Sequence, residues 1–208
     1  MNLKDLVREG YDAVSYAYRG DGEDEDCVKY YQWLDELIPL LSPGAHVLDL
    51  GCGCGIPVAK YLVATQQVTG VDISPVQIKR AKRLVPEARF LCVDMAVVAF
   101  PPARFEAIVS FYAIIHMPLE EQSQLFQKMK HWLVPGGYVL ITVGSAAWTG
   151  TEDAWLGVPG ATMYWSHADA ATYASWLSEN GFTCLWTRFV PEGDGGHTLI
   201  LAQKRRES

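Results

Sequence analysis

The residues best equipped for chemistry begin with one acid and a run of glycines, Asp49-Leu50-Gly51-Cys52-Gly53-Cys54-Gly55, directly behind the apolar His46-Val47-Leu48. Glycines between a buried strand and a helix let the backbone turn sharply and approach a ligand without intervening side chains. Asp72 lies nineteen residues beyond Gly53, at the end of the next apolar run. A carboxylate there can accept hydrogen bonds from both hydroxyls of a ribose. Asp94 ends a third run. The spacing Gly-x-Gly-x-Gly puts Ile56 where a nicotinamide-dinucleotide fingerprint needs its last glycine. Asp49 also sits badly beside a pyrophosphate, because like charges repel, and well beside a ligand carrying an ammonium and a sulfonium.

A second set of residues could move a proton. His116, in Tyr112-Ala113-Ile114-Ile115-His116, follows the fourth predicted strand. The crevice of an open α/β sheet lies beyond the carboxyl ends of its strands, and imidazole titrates near neutrality, so His116 is expected to be a general base. Aromatic side chains supply walls: Tyr11 and Tyr18 near the start, and Trp148, Trp155, Tyr164 and Trp165 further on. Such faces hold a planar substrate, or a cation through its attraction to the ring. His197 and Glu192 border the last predicted hairpin as candidate substrate contacts, whereas His46, His131 and His167 read as structural. Cys52 and Cys54 have no second close pair to complete a zinc site and read as small residues in a tight loop.

These residues need a scaffold. Positions 30, 33, 34, 37, 38 and 41 are apolar at helical spacing. From His46 onward, short apolar runs alternate with helical patterns. Strands are predicted over 46–50, 68–71, 89–93, 105–111 and 138–143, with helices over 56–64, 75–84 and 118–133. Ser74-Pro75-Val76-Gln77 reads as a capping box. The alternation implies right-handed crossovers and a largely parallel sheet. Residues 144–165, rich in glycine and tryptophan, read as a long lid loop. Ser166-His167-Ala168-Asp169 caps a helix that ends before Gly181, then come two strands joined by a short glycine-rich turn, so one strand must run antiparallel.

The chain has 208 residues and a formal net charge of -7. That length fits a single domain over 1–208, with a helical cap over about 1–26 and the lid over about 144–165. An acidic surface argues against nucleic acid as a partner. No apolar run is long enough to span a bilayer. Five cysteines without a secretory signal suit reduced thiols in the cytoplasm. A homodimer is compatible with this composition.

The segment from Asp49 to Gly55 resembles the first motif of the class I, Rossmann-like S-adenosylmethionine-dependent methyltransferases. The resemblance extends to Val71-Asp72-Ile73-Ser74, Val93-Asp94-Met95 and Leu133-Val134-Pro135-Gly136-Gly137. It implies an α/β fold, a seven-stranded and mostly parallel sheet with helices on both faces and the last strand antiparallel. It implies S-adenosylmethionine as cofactor, bound by Tyr11, Tyr18, Asp49, Gly51, Cys52, Gly53, Asp72, Ile73, Gln77, Asp94, Met95 and Phe111. Asp72 would take the ribose and Asp94 the adenine amino group. The expected activity is methyl transfer to an oxygen or nitrogen of a small molecule, with His116 catalytic. Tyr11, His116, Trp148, Tyr164, Trp165 and His197 would surround the acceptor, and no metal is expected. The alternatives are a methyltransferase acting on a protein or peptide side chain and a non-catalytic S-adenosylmethionine-binding protein.

Overall fold

A computed structural model describes residues 2–206. The expected span 1–208 therefore includes three positions, Met1, Glu207 and Ser208, outside the described residues. Helices α1 (Leu3–Tyr18) and α2 (Cys27–Leu37) lead into strand β1 (His46–Leu50), short helix α3 (Val58–Leu62), β2 (Gln67–Asp72), α4 (Pro75–Leu84) and β3 (Arg89–Cys92). Then come β4 (Phe105–Ser110), α5 (Leu119–Trp132), β5 (Leu133–Gly144), β6 (Trp148–Glu152), β7 (Met163–His167), α6 (Ala170–Glu179), β8 (Phe182–Glu192) and β9 (Gly195–Lys204). Seven strands form one sheet in the order β3-β2-β1-β4-β5-β9-β8. Strands β1 to β5 pair in parallel, and β9 runs antiparallel to both neighbours, as expected.

Strand alternation sorts the core onto the two faces. Val47, Ala107, Val109 and Leu140 pack with α2, α3 and α4 on one side. Leu48, Ile108, Val139 and Ile141 pack with α5 and α6 on the other. The Ser74 hydroxyl accepts a hydrogen bond from the Gln77 backbone, closing the N-terminal turn of α4. A small third cluster joins α1 to β7 through Val7, Met163 and Tyr164.

Several boundaries differ from expectation. The helix expected over 56–64 shrinks to Val58–Leu62. The fifth strand starts at Leu133 rather than Tyr138, because Leu133 already pairs with Phe105 and a bulge absorbs Pro135 to Gly137. The largest correction concerns the expected lid loop. Residues 148–152 and 163–167 form a two-stranded antiparallel sheet, with Trp148 opposite His167 and Glu152 opposite Met163. Threonine and aromatic residues suit a pleated ribbon, and the intervening glycines confine the irregular chain to its tip.

Candidate active site

A cleft opens at the carboxyl ends of β1, β2 and β4, where the ligands of open α/β sheets bind. Tyr11, Tyr18, Gly51, Gly53, Asp72, Ile73, Gln77, Asp94, Met95, Phe111 and His116 line it together. A second cleft adjoins it, sharing Tyr18, Gly51, Gly53, Gln77 and Phe111 and adding Arg19, Tyr30, Asp49 and Cys52. The cofactor residues expected from sequence thus converge on two connected spaces.

The strand ends present their acids differently. Asp72 Oδ2 accepts from the Gly53 backbone and Oδ1 from the Ser74 backbone, each at 2.8 Å. Each oxygen keeps a further lone pair for a ligand hydroxyl. Burial pushes its carboxyl up to about 6, against the opposing pull of those backbone donors. Asp49 is buried, and among the described residues its Oδ2 has no hydrogen-bond partner. Burial, with the nearby charge of Asp72, raises its carboxyl to about 8. Asp94 is more occupied than expected. Its Oδ1 accepts from the Ala96 backbone at 2.7 Å, and Lys4 Nζ stands 2.8 Å from Oδ2, held also by Glu121.

Two observations test the fit of S-adenosylmethionine. Gly53 adopts φ +52, and a Cβ there would meet nothing within 4 Å, so the turn faces open cleft. In the adjoining space the unpartnered Asp49 carboxylate and the Arg19 guanidinium supply opposite charges to a zwitterionic amino-acid end. The donor set fits the group.

His116 sits on a short 3-10 turn (Ile114–His116) after β4 and is 6% exposed. Its Nδ1 lies 2.7 Å from the Tyr164 carbonyl oxygen on β7, and its Nε2 lies 2.9 Å from the Tyr11 hydroxyl. A carbonyl only accepts, so Nδ1 carries the proton, and Tyr11 donates to a bare Nε2. Burial lowers the imidazole to about 4, so the ring is neutral at ordinary pH.

The aromatic residues form a chain of ring contacts around this pair. Tyr11 meets Tyr18 at 5.5 Å and Trp155 at 5.4 Å, and Trp155 meets Trp165 at 5.6 Å. Trp165 continues to Trp148 at 6.0 Å, Trp148 to His167 at 6.1 Å and His167 to His197 at 6.3 Å. His197 meets Tyr112 edge-on at 5.1 Å, and Tyr112 meets Tyr30 at 6.0 Å. Trp148, at 49% exposure, stands outside the cleft on the outer ribbon, against the expectation of direct lining. Tyr164 contributes its backbone carbonyl to His116, and its side chain packs against α1. Sequence reading missed Lys4, Arg19, Tyr30 and Tyr112. Their sole sequence signal was proximity to Tyr11, Tyr18 or Phe111.

Residues 47–137 match the family described as a methyltransferase domain. A curated relative is the 2-methyl-6-phytyl-1,4-hydroquinone methyltransferase of Synechocystis sp., 34% identical over 119 residues, covering 54% of this chain and 35% of that protein. The chain thus spans about a third of that relative's length. Magnesium protoporphyrin IX methyltransferase from Synechocystis, solved with S-adenosylhomocysteine, superposes with TM-score 0.74 at 19% identity, covering 98% of this chain and all of that one. The [4+2]-cyclase SpnF shares the fold with TM-score 0.73 at 20% identity, covering all of this chain and 98% of that one. Residues 47–137 thus match a methyltransferase domain, and the fold is the one shared with solved S-adenosylmethionine-dependent methyltransferases.

Proposed function

We propose that this protein transfers a methyl group from S-adenosylmethionine to an oxygen or nitrogen atom of a small-molecule acceptor. One observation carries the reading: a buried carboxylate without a partner, Asp49, lies at the foot of the glycine turn, where a cationic ligand group would satisfy it. Asp49 would hold the ammonium, Arg19 the carboxylate, Asp72 the ribose hydroxyls and Asp94 the adenine amino group, Lys4 giving way. When bound, the cofactor supplies an electrophilic methyl group.

The remaining work falls to alignment, exclusion of water and removal of one proton. Tyr11 and His116 are placed for the last. An acceptor O–H or N–H bonded to Tyr11 Oη passes its proton there as the Tyr11 proton moves to His116 Nε2. A weak base suffices, because the acceptor becomes strongly acidic as its new bond to carbon forms. The aromatic surroundings favour an enclosed small molecule over a protein side chain. SpnF shows that the fold alone does not fix the reaction; the Tyr11–His116 pair favours transfer over mere binding.

Five free thiols suit the cytoplasm, and among the described residues no helix is long and apolar enough to cross a membrane. The acidic net charge supports the absence of a nucleic-acid partner. A homodimer stays compatible with the exposed edge strand β8. Calorimetry tests the reading: S-adenosylhomocysteine binds and NAD does not. NAD binding without S-adenosylhomocysteine binding overturns it.

A further inference from the structure

Tyr112 has a feature that cofactor binding leaves unexplained. It is buried, yet among the described residues its hydroxyl has no hydrogen-bond partner. Buried polar groups are nearly always paired, so each exception needs a reason. Its backbone is strained as well: φ is 55°, which a bulky residue rarely adopts. The Thr142 hydroxyl holds this conformation by accepting from the Tyr112 backbone N–H at 2.5 Å. Strain of this kind gathers at functional sites. Tyr112 lines the same cleft as Tyr11 and His116.

His197 stands beside it. Glu192 Oε2 lies 2.9 Å from His197 Nδ1, close enough to attract the ring though out of line for a hydrogen bond. The neighbouring charges matter too. Lys29 Nζ lies 5.3 Å from the centres of the Tyr30 and Tyr112 rings. The Arg19 guanidinium lies 5.5 Å from the centre of Tyr30. The ring faces on this side are already used by cations, so a cationic acceptor finds no free face on Tyr30 or Tyr112.

We propose that the acceptor is a planar aromatic compound with two polar substituents, one placed on the Tyr11–His116 pair and the other bound by Tyr112. This rests on the methyltransferase reading and adds the acceptor class to it. The aromatic contacts supply flat walls for such a ring. The two hydrogen-bonding positions fix its orientation, so that one substituent meets the methyl group and the other does not.

The test uses the full chain saturated with S-adenosylhomocysteine and titrated with hydroquinone, phenol or dimethylethanolamine, followed by tryptophan fluorescence. Hydroquinone should bind about tenfold more tightly than phenol, the worth of one hydrogen bond to a buried group. Dimethylethanolamine should bind more weakly than either. In Tyr112→Phe the hydroquinone advantage should disappear, while S-adenosylhomocysteine affinity and melting temperature hold, because the lost hydroxyl bonds nothing in the free protein. Equal binding of hydroquinone and phenol to the unaltered protein overturns the proposal. So does an advantage that survives Tyr112→Phe, tighter binding of the amine, or no binding of hydroquinone at all. Failure of S-adenosylhomocysteine itself to bind overturns the underlying methyltransferase reading instead, so the two failures are distinct.

Discussion

Asp49 and His116 are buried groups with opposite displacements, and their pH signatures differ. Asp49, raised to about 8 by burial and the charge of Asp72, binds a proton in the folded protein that the unfolded chain releases near 4. The folded state therefore holds more protons between about 4 and 8, and the stability of the free protein falls as pH rises through that window. His116 opposes this only below its unfolded value of about 6.5, where folding must keep it neutral. Between about 6.5 and 8 the Asp49 effect stands alone of the two. A cationic ligand group favours the ionised carboxylate, so S-adenosylhomocysteine affinity should rise as pH goes from 6.5 to 8, with proton release seen by calorimetry in two buffers. Asp49→Asn should abolish that slope, weaken binding, and raise the free protein's melting temperature near pH 8. A pH-independent affinity in the unaltered protein would contradict the assignment. With cofactor saturating, the acid limb of kcat belongs to His116 and should fall near 4 rather than 6.5. His116→Ala should reduce kcat roughly 10²–10⁴-fold with cofactor affinity retained, and the loss should shrink at high pH. Near wild-type turnover in that variant would remove the pair from the mechanism.

At the scale of elements, α1 meets the β6–β7 ribbon at Gly10. A Cβ there would lie 2.7 Å from the Thr162 carbonyl oxygen and 2.9 Å from Met163 Cε. Gly10→Val should push α1 off β7 and part Tyr11 from His116, lowering kcat and increasing hydrogen exchange over 3–18. Unchanged exchange and turnover would show that the helix tolerates the gap. This contact was invisible in the sequence, where Gly10 is one helix-interior residue among polar neighbours. The parallel strands were legible because burial on two faces leaves continuous apolar runs such as Val47-Leu48 and Ile108-Val109. The Asp49, Asp72 and Asp94 positions were legible because each ends such a run. The β6–β7 ribbon was not, because its glycines and tryptophans carry turn and surface signals as strongly as strand signals. Lys4 and Arg19 escaped for another reason. Their partners are set by how α1 lies across the sheet, and helical periodicity gives the inward face of a helix without its neighbour.

For the molecule as a whole, α1 is fastened at several points around the cleft. Lys4 reaches Asp94 and Glu121. Tyr11 reaches His116. Asp12 accepts from the Ser74 hydroxyl at 2.5 Å. Arg80 of α4 donates to the Ser15 carbonyl at 2.6 Å and, beyond the end of the helix, to the Arg19 carbonyl at 2.6 Å. The acidic stretch around Gly20 and Gly22 is the one exposed connection behind α1. A cofactor seated beneath so many fastenings leaves only after several of them let go together. Departure of the spent cofactor, and not the bond change itself, should then limit the steady rate. Rapid mixing should reveal a first turnover faster than those that follow. Because salt weakens the Lys4–Glu121 ion pair, the later turnovers should quicken as ionic strength rises, while the first keeps its pace.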